Sequence, residues 1–259
     1  MKLLVIGDIV GRPGRNIIAE RLHHLIDINA IDMVIANGEN ASGGNGLTEK
    51  NATELFQCGI NIITMGNHIW DKKEILNYID TYPNLIRPAN YPEPCPGKGY
   101  TIFKKGNVRV GVINISGVIY LKNLRCPFET FDILYEKVHQ ECDMIIVDFH
   151  AEATSEKIAM GYYGDGRASL VFGTHTHVQT ADVRILENGT GFISDVGMTG
   201  PYDGILGIDK HIIIQHLKNK RPVKFELASG QVQINGLIVD INHKNGKCES
   251  IQNFIHIFE

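Results

Sequence analysis

The sequence predicts an α/β protein built as a four-layer α-β-β-α sandwich, with two mixed sheets face to face and helices outside. Three observations carry this. Short apolar runs alternate with helical periodicity through the first 82 residues, the pattern of a sheet with helices packed on it. From Tyr100 onward, runs are joined by turn sequences such as Lys104-Lys-Gly-Asn107 and Glu187-Asn-Gly189, which mark hairpins. Polar clusters rich in oxygen and imidazole groups end strands in both parts, so the parts share one site, and residues 1–259 are expected to form one domain.

The elements follow in order. Lys2 to Ile6 is a buried strand. Val10 to Arg15 reads as a turn ending in a helix start, after which Ile17, Ile18, Leu22, Leu25 and Ile26 recur at helical spacing up to about Asn29. Met33 to Ala36 is a second strand, and the glycine-rich run Ala41 to Gly46 is a loop. Thr48 to Cys58 suits a helix with Leu47, Ala52, Leu55 and Phe56 inward and Glu49, Lys50 and Glu54 outward. Ile60 to Met65 is a third strand, and Asp71 to Tyr82 reads as a helix capped near Asp71. Four prolines between Arg87 and Gly97 leave a loop. Tyr100 to Phe103 and Val108 to Ile115 form a hairpin, and Phe131 to Val138 a helix. Met144 to Phe149 and Leu170 to Phe172 are buried strands, and Val183 to Leu186 pairs with Gly191 to Ser194. Lys224 to Leu227, Val232 to Ile241 and Ser250 to Ile257 close the chain as strands, with a turn at Asn242 to Lys247.

Composition narrows the class. Hydrophobic residues make up 43% and charged residues 21%, ordinary for a globular protein. A net charge of -4 supplies no electrostatic drive toward nonspecific duplex binding. No apolar stretch nears the roughly 18 to 20 residues that span a bilayer. The first apolar run meets Gly7-Asp8 at once, too short for a signal-peptide core, so a cytoplasmic location is expected. The five cysteines are scattered and form no Cys-x-x-Cys pair, which points to free thiols and away from thiolate ligation.

The chemistry lies in five clusters: Gly7-Asp8, Asn37-Gly-Glu-Asn40, Gly66-Asn-His68, Phe149-His150 and Gly173-Thr-His-Thr-His177. Each has an ordinary structural alternative. Asp8 could cap the next helix, and Glu39 and Asn40 could belong to a polar turn. His68 and His150 could be hydrogen-bonded core histidines, His150 with Asp148, which shares its face in a strand. His175 and His177 could be loop residues. If residues 173–177 are extended, however, the two imidazoles point the same way and can bind a cation. Jointly, carboxylates, amides and imidazoles at five strand ends suggest a two-metal hydrolytic centre.

In this order the clusters resemble the calcineurin-like metallophosphoesterase superfamily, from Asp8 to His177. Val10 stands where that superfamily has a histidine, which removes one ligand and lets one cation exchange more easily. Glu39 stands where it has a bridging aspartate, and Thr174 separates Gly173 from His175. With these departures, the segments 37–44, 173–182 and 195–201 resemble the YmdB-type bacterial phosphodiesterases over nearly the whole chain. The resemblance implies hydrolysis of 2′,3′-cyclic nucleotides at the 2′ side by a cytoplasmic homo-oligomer, a dimer or tetramer, with two divalent metal ions, iron or manganese before zinc. It implies that Asp8, Glu39, Asn40 and His177 hold one ion. Glu39, Asn67, His150 and His175 would hold the other, with Glu39 bridging and His68 catalytic.

Chemically, hydroxide between the two cations would attack phosphorus while His68 assists the departing sugar oxygen. Gly43, Gly44 and Gly46, with Arg12 and Arg15, could offer donors to phosphate or ribose. The segment Asp195 to Tyr202 suits a substrate wall or an oligomer contact. The competing readings are a broad-specificity phosphatase or phosphodiesterase, including one acting on RNA ends, and a regulatory nucleotide- or RNA-binding protein of low turnover.

Overall fold

The computed structural model describes residues 1–259. In chain order the elements are β1 (Lys2–Ile6), β2 (Asp8–Ile9), α1 (Gly11–Asn29), β3 (Met33–Asn37), α2 (Glu49–Gln57), β4 (Ile62–Thr64) and α3 (Ile75–Tyr78). They continue with β5 (Leu85–Ile86), β6 (Tyr100–Lys105), β7 (Val108–Ser116), α4 (Pro127–Val138), β8 (Met144–His150), α5 (Thr154–Gly164) and β9 (Leu170–Thr174). The last are β10 (Arg184–Ile185), β11 (Gly191–Ile193), β12 (Met198–Pro201), α6 (Lys210–Asn219), β13 (Val232–Ile241) and β14 (Cys248–Phe258).

Two mixed sheets result, as the sequence predicts. One has eight strands in the order β2-β12-β13-β1-β3-β4-β5, with β14 along β13, and the other has the order β10-β11-β9-β8-β7-β6. The four layers follow from side-chain alternation. Leu3 and Val5 of β1 point between the sheets, where they meet Val110, Val112, Ile146 and Phe172. Their neighbours Leu4 and Ile6 point outward, onto Ile18, Leu22 and Leu55 of α1 and α2. The second sheet repeats the rule, with Ile113, Val147 and Phe149 packed against Phe131 of α4 and Met160 of α5.

The parallel pairs fix where the site lies. β1 runs parallel to β3 and β3 to β4, and β8 runs parallel to both β7 and β9. Their carboxyl ends therefore face one edge, where α/β sheets gather ligands.

Several expectations change. The predicted helix from Asp71 to Tyr82 is one short turn, α3, followed by a 3-10 turn at Ile79–Thr81, and Asp71 caps nothing. Lys224 to Leu227 is not a strand, and only Leu227 bridges, to Ile208. Met198 to Pro201 is an interior strand bridging β2 and β13. Helix α1 begins at Gly11, inside the expected turn.

Candidate metal centre

His150 is the hub. It ends β8 fully buried, and Gly66 allows its ring to approach, since a Cβ at Gly66 would lie 2.2 Å from Nε2. Its tautomer is set by a relay. Thr174 Oγ1 donates its only hydrogen to Asp148 Oδ1 at 2.8 Å, so it accepts from His150 Nδ1–H at 2.9 Å. The sequence places Asp148 on the same face as His150, but the contact runs through Thr174 rather than directly. Nε2 then faces Asn67 Oδ1 at 2.9 Å, Glu39 Oε1 at 3.1 Å and His175 Nδ1 at 3.1 Å.

Four donors from four strand ends thus surround one point. The ligand atoms of Glu39, His150 and His175 all lie within 4.8 Å of one another. His175 Nε2 lies 3.0 Å from Glu152 Oε2, so its N–H donates outward and Nδ1 keeps its lone pair for the cluster. Glu152 carries no signal in the sequence, as it follows β8 by two residues and stays half exposed.

A second group adjoins. Asp8, fully buried, receives the backbone N–H of His175 at 3.2 Å through Oδ2, and its Oδ1 lies 3.8 Å from His177 Nε2. The Asn40 amide lies 3.1 Å from His177 Nε2, 3.4 Å from Asp8 Oδ1 and 3.5 Å from Glu39 Oε1. The contacting atom is the amide nitrogen, so holding a cation takes the flipped amide, with Oδ1 inward. His177 Nδ1 donates to the Leu206 carbonyl at 3.3 Å, which leaves Nε2 for the group. All seven residues expected as ligands converge, and Glu39 touches both groups.

The two histidines do not reach the site as an extended strand. Both have left-handed backbone, φ 102° at His175 and 64° at His177, conformations uncommon outside glycine. A buried brace holds them. Asp195 Oδ2 accepts from Thr176 N at 3.0 Å, Thr176 Oγ1 at 2.8 Å and Lys157 Nζ at 2.6 Å. The 195–202 segment therefore supplies an interior anchor at Asp195, and of its expected substrate wall or oligomer contact only Tyr202 is exposed.

His68 sits apart from the ligand cluster, on its rim. Its backbone N–H donates to Glu39 Oε2 at 2.8 Å, and its Nδ1 donates to Asp71 Oδ2 at 2.8 Å. Nε2 is left free, and the ring lines a cleft of about 570 Å³ together with Glu39, Asn40, His175 and His177. Gly43 and Gly44 line it too. The arginines do not, because Arg15 is tied to the Ala41 carbonyl and Glu54, while Arg12 lies in a separate surface hollow with Glu259.

Charges suit cations. Burial drives the Asp8 carboxyl well above its usual range, only partly offset by His150. Burial also opposes ionisation of Glu39, but the neighbouring His150 imidazolium holds it down to about 2. Burial opposes the charged form of His150 as well, yet Glu39 pushes it up to about 9. Burial, aided by the His150 charge, drives His175 down to about 3, and burial lowers His177, so both offer lone pairs at neutral pH. Without a cation, the His150 proton is the positive charge that buried carboxylates require. Two carboxylates, two amides and three imidazoles fit divalent ions that accept oxygen and nitrogen ligands.

Face-to-face mixed sheets with helices outside are the fold of calcineurin-like phosphoesterases, and the donor set at their carboxyl edges has the chemistry to hold divalent metal ions. The fold matches the calcineurin-like phosphoesterase YfkN from Bacillus subtilis at a TM-score of 0.59 and 12% identity, covering 98% of this chain and 90% of that one. More narrowly, the chain belongs to the family described as YmdB-like protein, whose model matches residues 4–254. It is 51% identical to the 2′,3′-cyclic-nucleotide 2′-phosphodiesterase of Bacillus subtilis (strain 168), over 98% of this chain and 97% of that protein. A crystal structure of a novel phosphatase from Mycoplasma pneumoniae superposes with a TM-score of 0.93 at 34% identity, covering 99% of this chain and 93% of that one.

Proposed function

We propose that this chain, working as one catalytic domain, is a dinuclear-metal-dependent phosphodiesterase that opens 2′,3′-cyclic nucleotides at the 2′ side. The observation that carries the reading is the position of Glu39, in contact with both His150 of one donor group and Asn40 of the other. The named activity of the 51%-identical relative supports the substrate class.

Asn67, His150 and His175 would hold one cation with Glu39. Asp8, Asn40 and His177 would hold the other, sharing that carboxylate. The oxygen and imidazole set favours iron or manganese and admits zinc. When bound, the pair would supply an acidified water and Lewis-acid neutralisation of the phosphate oxygens.

The remaining chemistry belongs to side chains. Asp71 fixes the His68 ring by accepting from Nδ1–H, which turns Nε2 toward the cleft, and in the imidazolium form Nε2–H gives its proton to the departing 2′ oxygen. The Glu39 contact with the His68 backbone keeps that ring beside the cluster. Two divalent ions set against the two carboxylates and the attacking hydroxide would leave about one net positive charge. A diester monoanion matches that charge, whereas a monoester dianion is overbound and leaves slowly.

No helix is long and apolar enough to cross a membrane. We read the protein as a cytoplasmic homo-oligomer. Helix α6 supports self-association, for it buries no residue while Ile214 and Leu217 are 54% and 57% exposed.

Initial rates with manganese-loaded protein on 2′,3′-cyclic AMP, 3′,5′-cyclic AMP and para-nitrophenyl phosphate test the reading. The 2′,3′-cyclic diester should show the highest kcat/KM, and a higher value for the monoester would overturn the assignment. His68→Ala should keep both metals and lose roughly 10²–10⁴-fold in kcat on the cyclic nucleotide. Full activity in that variant would remove His68 from the mechanism.

A further inference from the structure

We propose that the apolar part of the cleft is a nucleobase subsite with Phe225 as its stacking platform, which rests on the phosphodiesterase reading above. The cleft has two chemistries. Glu39, Asn40, His68, His175 and His177 make its polar part, and Val10, Leu206, Ile208, Phe225 and Leu227 make an apolar part. Five apolar side chains beside a cation-binding cluster serve no ligation. They suit the one portion of a cyclic nucleotide that is neither charged nor hydroxylated.

The two parts are physically joined. The Leu206 carbonyl accepts from His177 Nδ1 at 3.3 Å, so the apolar part begins one hydrogen bond from the donor group. Leu206 adopts φ 53°, a left-handed conformation that a bulky residue rarely takes, and its side chain stays 48% exposed. Such strain is characteristic of ligand sites.

Phe225 is 52% exposed, yet its backbone is not loose. Next to it, Asp209 N donates to Glu226 O at 2.9 Å and Ala228 N to Gly207 O at 3.0 Å, and Leu227 bridges Ile208. His216 of α6 meets the ring edge-on, with centroids 5.6 Å apart and planes at 86°. The ring is thus held in place with much of its surface open. A cleft of about 570 Å³ falls in the range of roughly 300–1,000 Å³ that takes small ligands.

Leucine, isoleucine, valine and phenylalanine have no polar side-chain atoms to read a base edge. The subsite therefore senses the size of a base's π face and not the hydrogen-bonding pattern of its edge, because every base offers such a face. Purines should bind more tightly than pyrimidines through larger stacking area.

The test compares 2′,3′-cyclic AMP, 2′,3′-cyclic UMP and base-free 1-O-methylribose 2,3-cyclic phosphate, using metal-loaded wild type, Phe225→Ala and Phe225→Trp. Phe225→Ala should raise KM about tenfold for cyclic AMP and less for cyclic UMP. Its kcat, metal content and KM for the base-free diester should stay unchanged. Phe225→Trp should restore the wild-type KM. An unchanged KM for both nucleotides in Phe225→Ala overturns the proposal, as does an equal loss on the base-free diester. Loss of self-association in Phe225→Ala by sedimentation, without the KM change, would assign the ring to a second copy of the chain and also overturn it. Wild type that hydrolyses the base-free diester as well as the nucleotides defeats the base subsite but leaves the phosphodiesterase standing. Wild type that hydrolyses none of the three defeats both.

Discussion

At the scale of single residues, His150 explains how an unusually charged interior can fold before any cation arrives. Its Nδ1 is committed through Thr174 to Asp148, and its Nε2 carries a proton among Glu39, Asn67 and His175. A cation at Nε2 must displace that proton, because a ligating imidazole is neutral there. With His150 raised to about 9 in the metal-free protein, cation binding at pH 7 should release one proton from it. The sign follows. Below pH 9 the competing proton weakens binding, so affinity should rise about tenfold per pH unit and level off above pH 9. Manganese titration calorimetry in buffers of different ionisation enthalpy counts the protons, and uptake of protons, or none exchanged, would contradict this assignment. His150→Gln should lower the proton count by one.

At the scale of elements, the 173–177 turn depends on helix α5, on the other side of β9. Lys157 of α5 and Asp195 form a buried pair, exposed by only 2% and 1%, and Asp195 also grips Thr176 between the two histidines. Removing one member leaves the other charge buried and alone. Lys157→Met should therefore cost about 3–5 kcal/mol of unfolding free energy. Thr176→Val removes one hydroxyl bond while the lysine and backbone donors remain, and should cost only about 1 kcal/mol. Urea unfolding of the metal-free proteins measures both, and equal small losses would show that the brace is not structural. Gly173 belongs to the same device, since a Cβ there would lie 1.7 Å from the Ser194 carbonyl.

These elements also show what a sequence discloses. β13 runs from Val232 to Ile241 as its apolar alternation predicts, and the hairpins at 104–107 and 187–189 follow their turn residues. Helix α5 escapes, because it buries Glu156 and Lys157, charges that a helical apolar stripe excludes. Helix α6 escapes for the opposite reason. It buries nothing, and its Ile212-Ile-Ile214 run is β-branched. The two-residue β2 is too short for any period. The convergence of the seven candidate donors was legible because each ends or follows an apolar strand. Glu152, Thr174 and Asp71 were not, since hydrogen-bond partners carry no pattern of their own. The extended reading of His175-Thr-His177 fails because the Asp195 brace, formed by a distant loop, bends it.

At the scale of the whole molecule, the centre exists only where two sheets meet. Asp8, Glu39, Asn40, Asn67 and His68 come from the first sheet, and His150, His175 and His177 from the second. The core between the sheets, with Leu3, Val5, Val112, Ile146 and Phe172, sets their separation and hence the distance between the donor groups. The decisive measurement is anomalous diffraction from manganese-soaked crystals. Two peaks about 3.5–4 Å apart are expected, one among Glu39, Asn67, His150 and His175 and one among Asp8, Glu39, Asn40 and His177. A single peak away from Glu39, or none, would contradict the dinuclear centre.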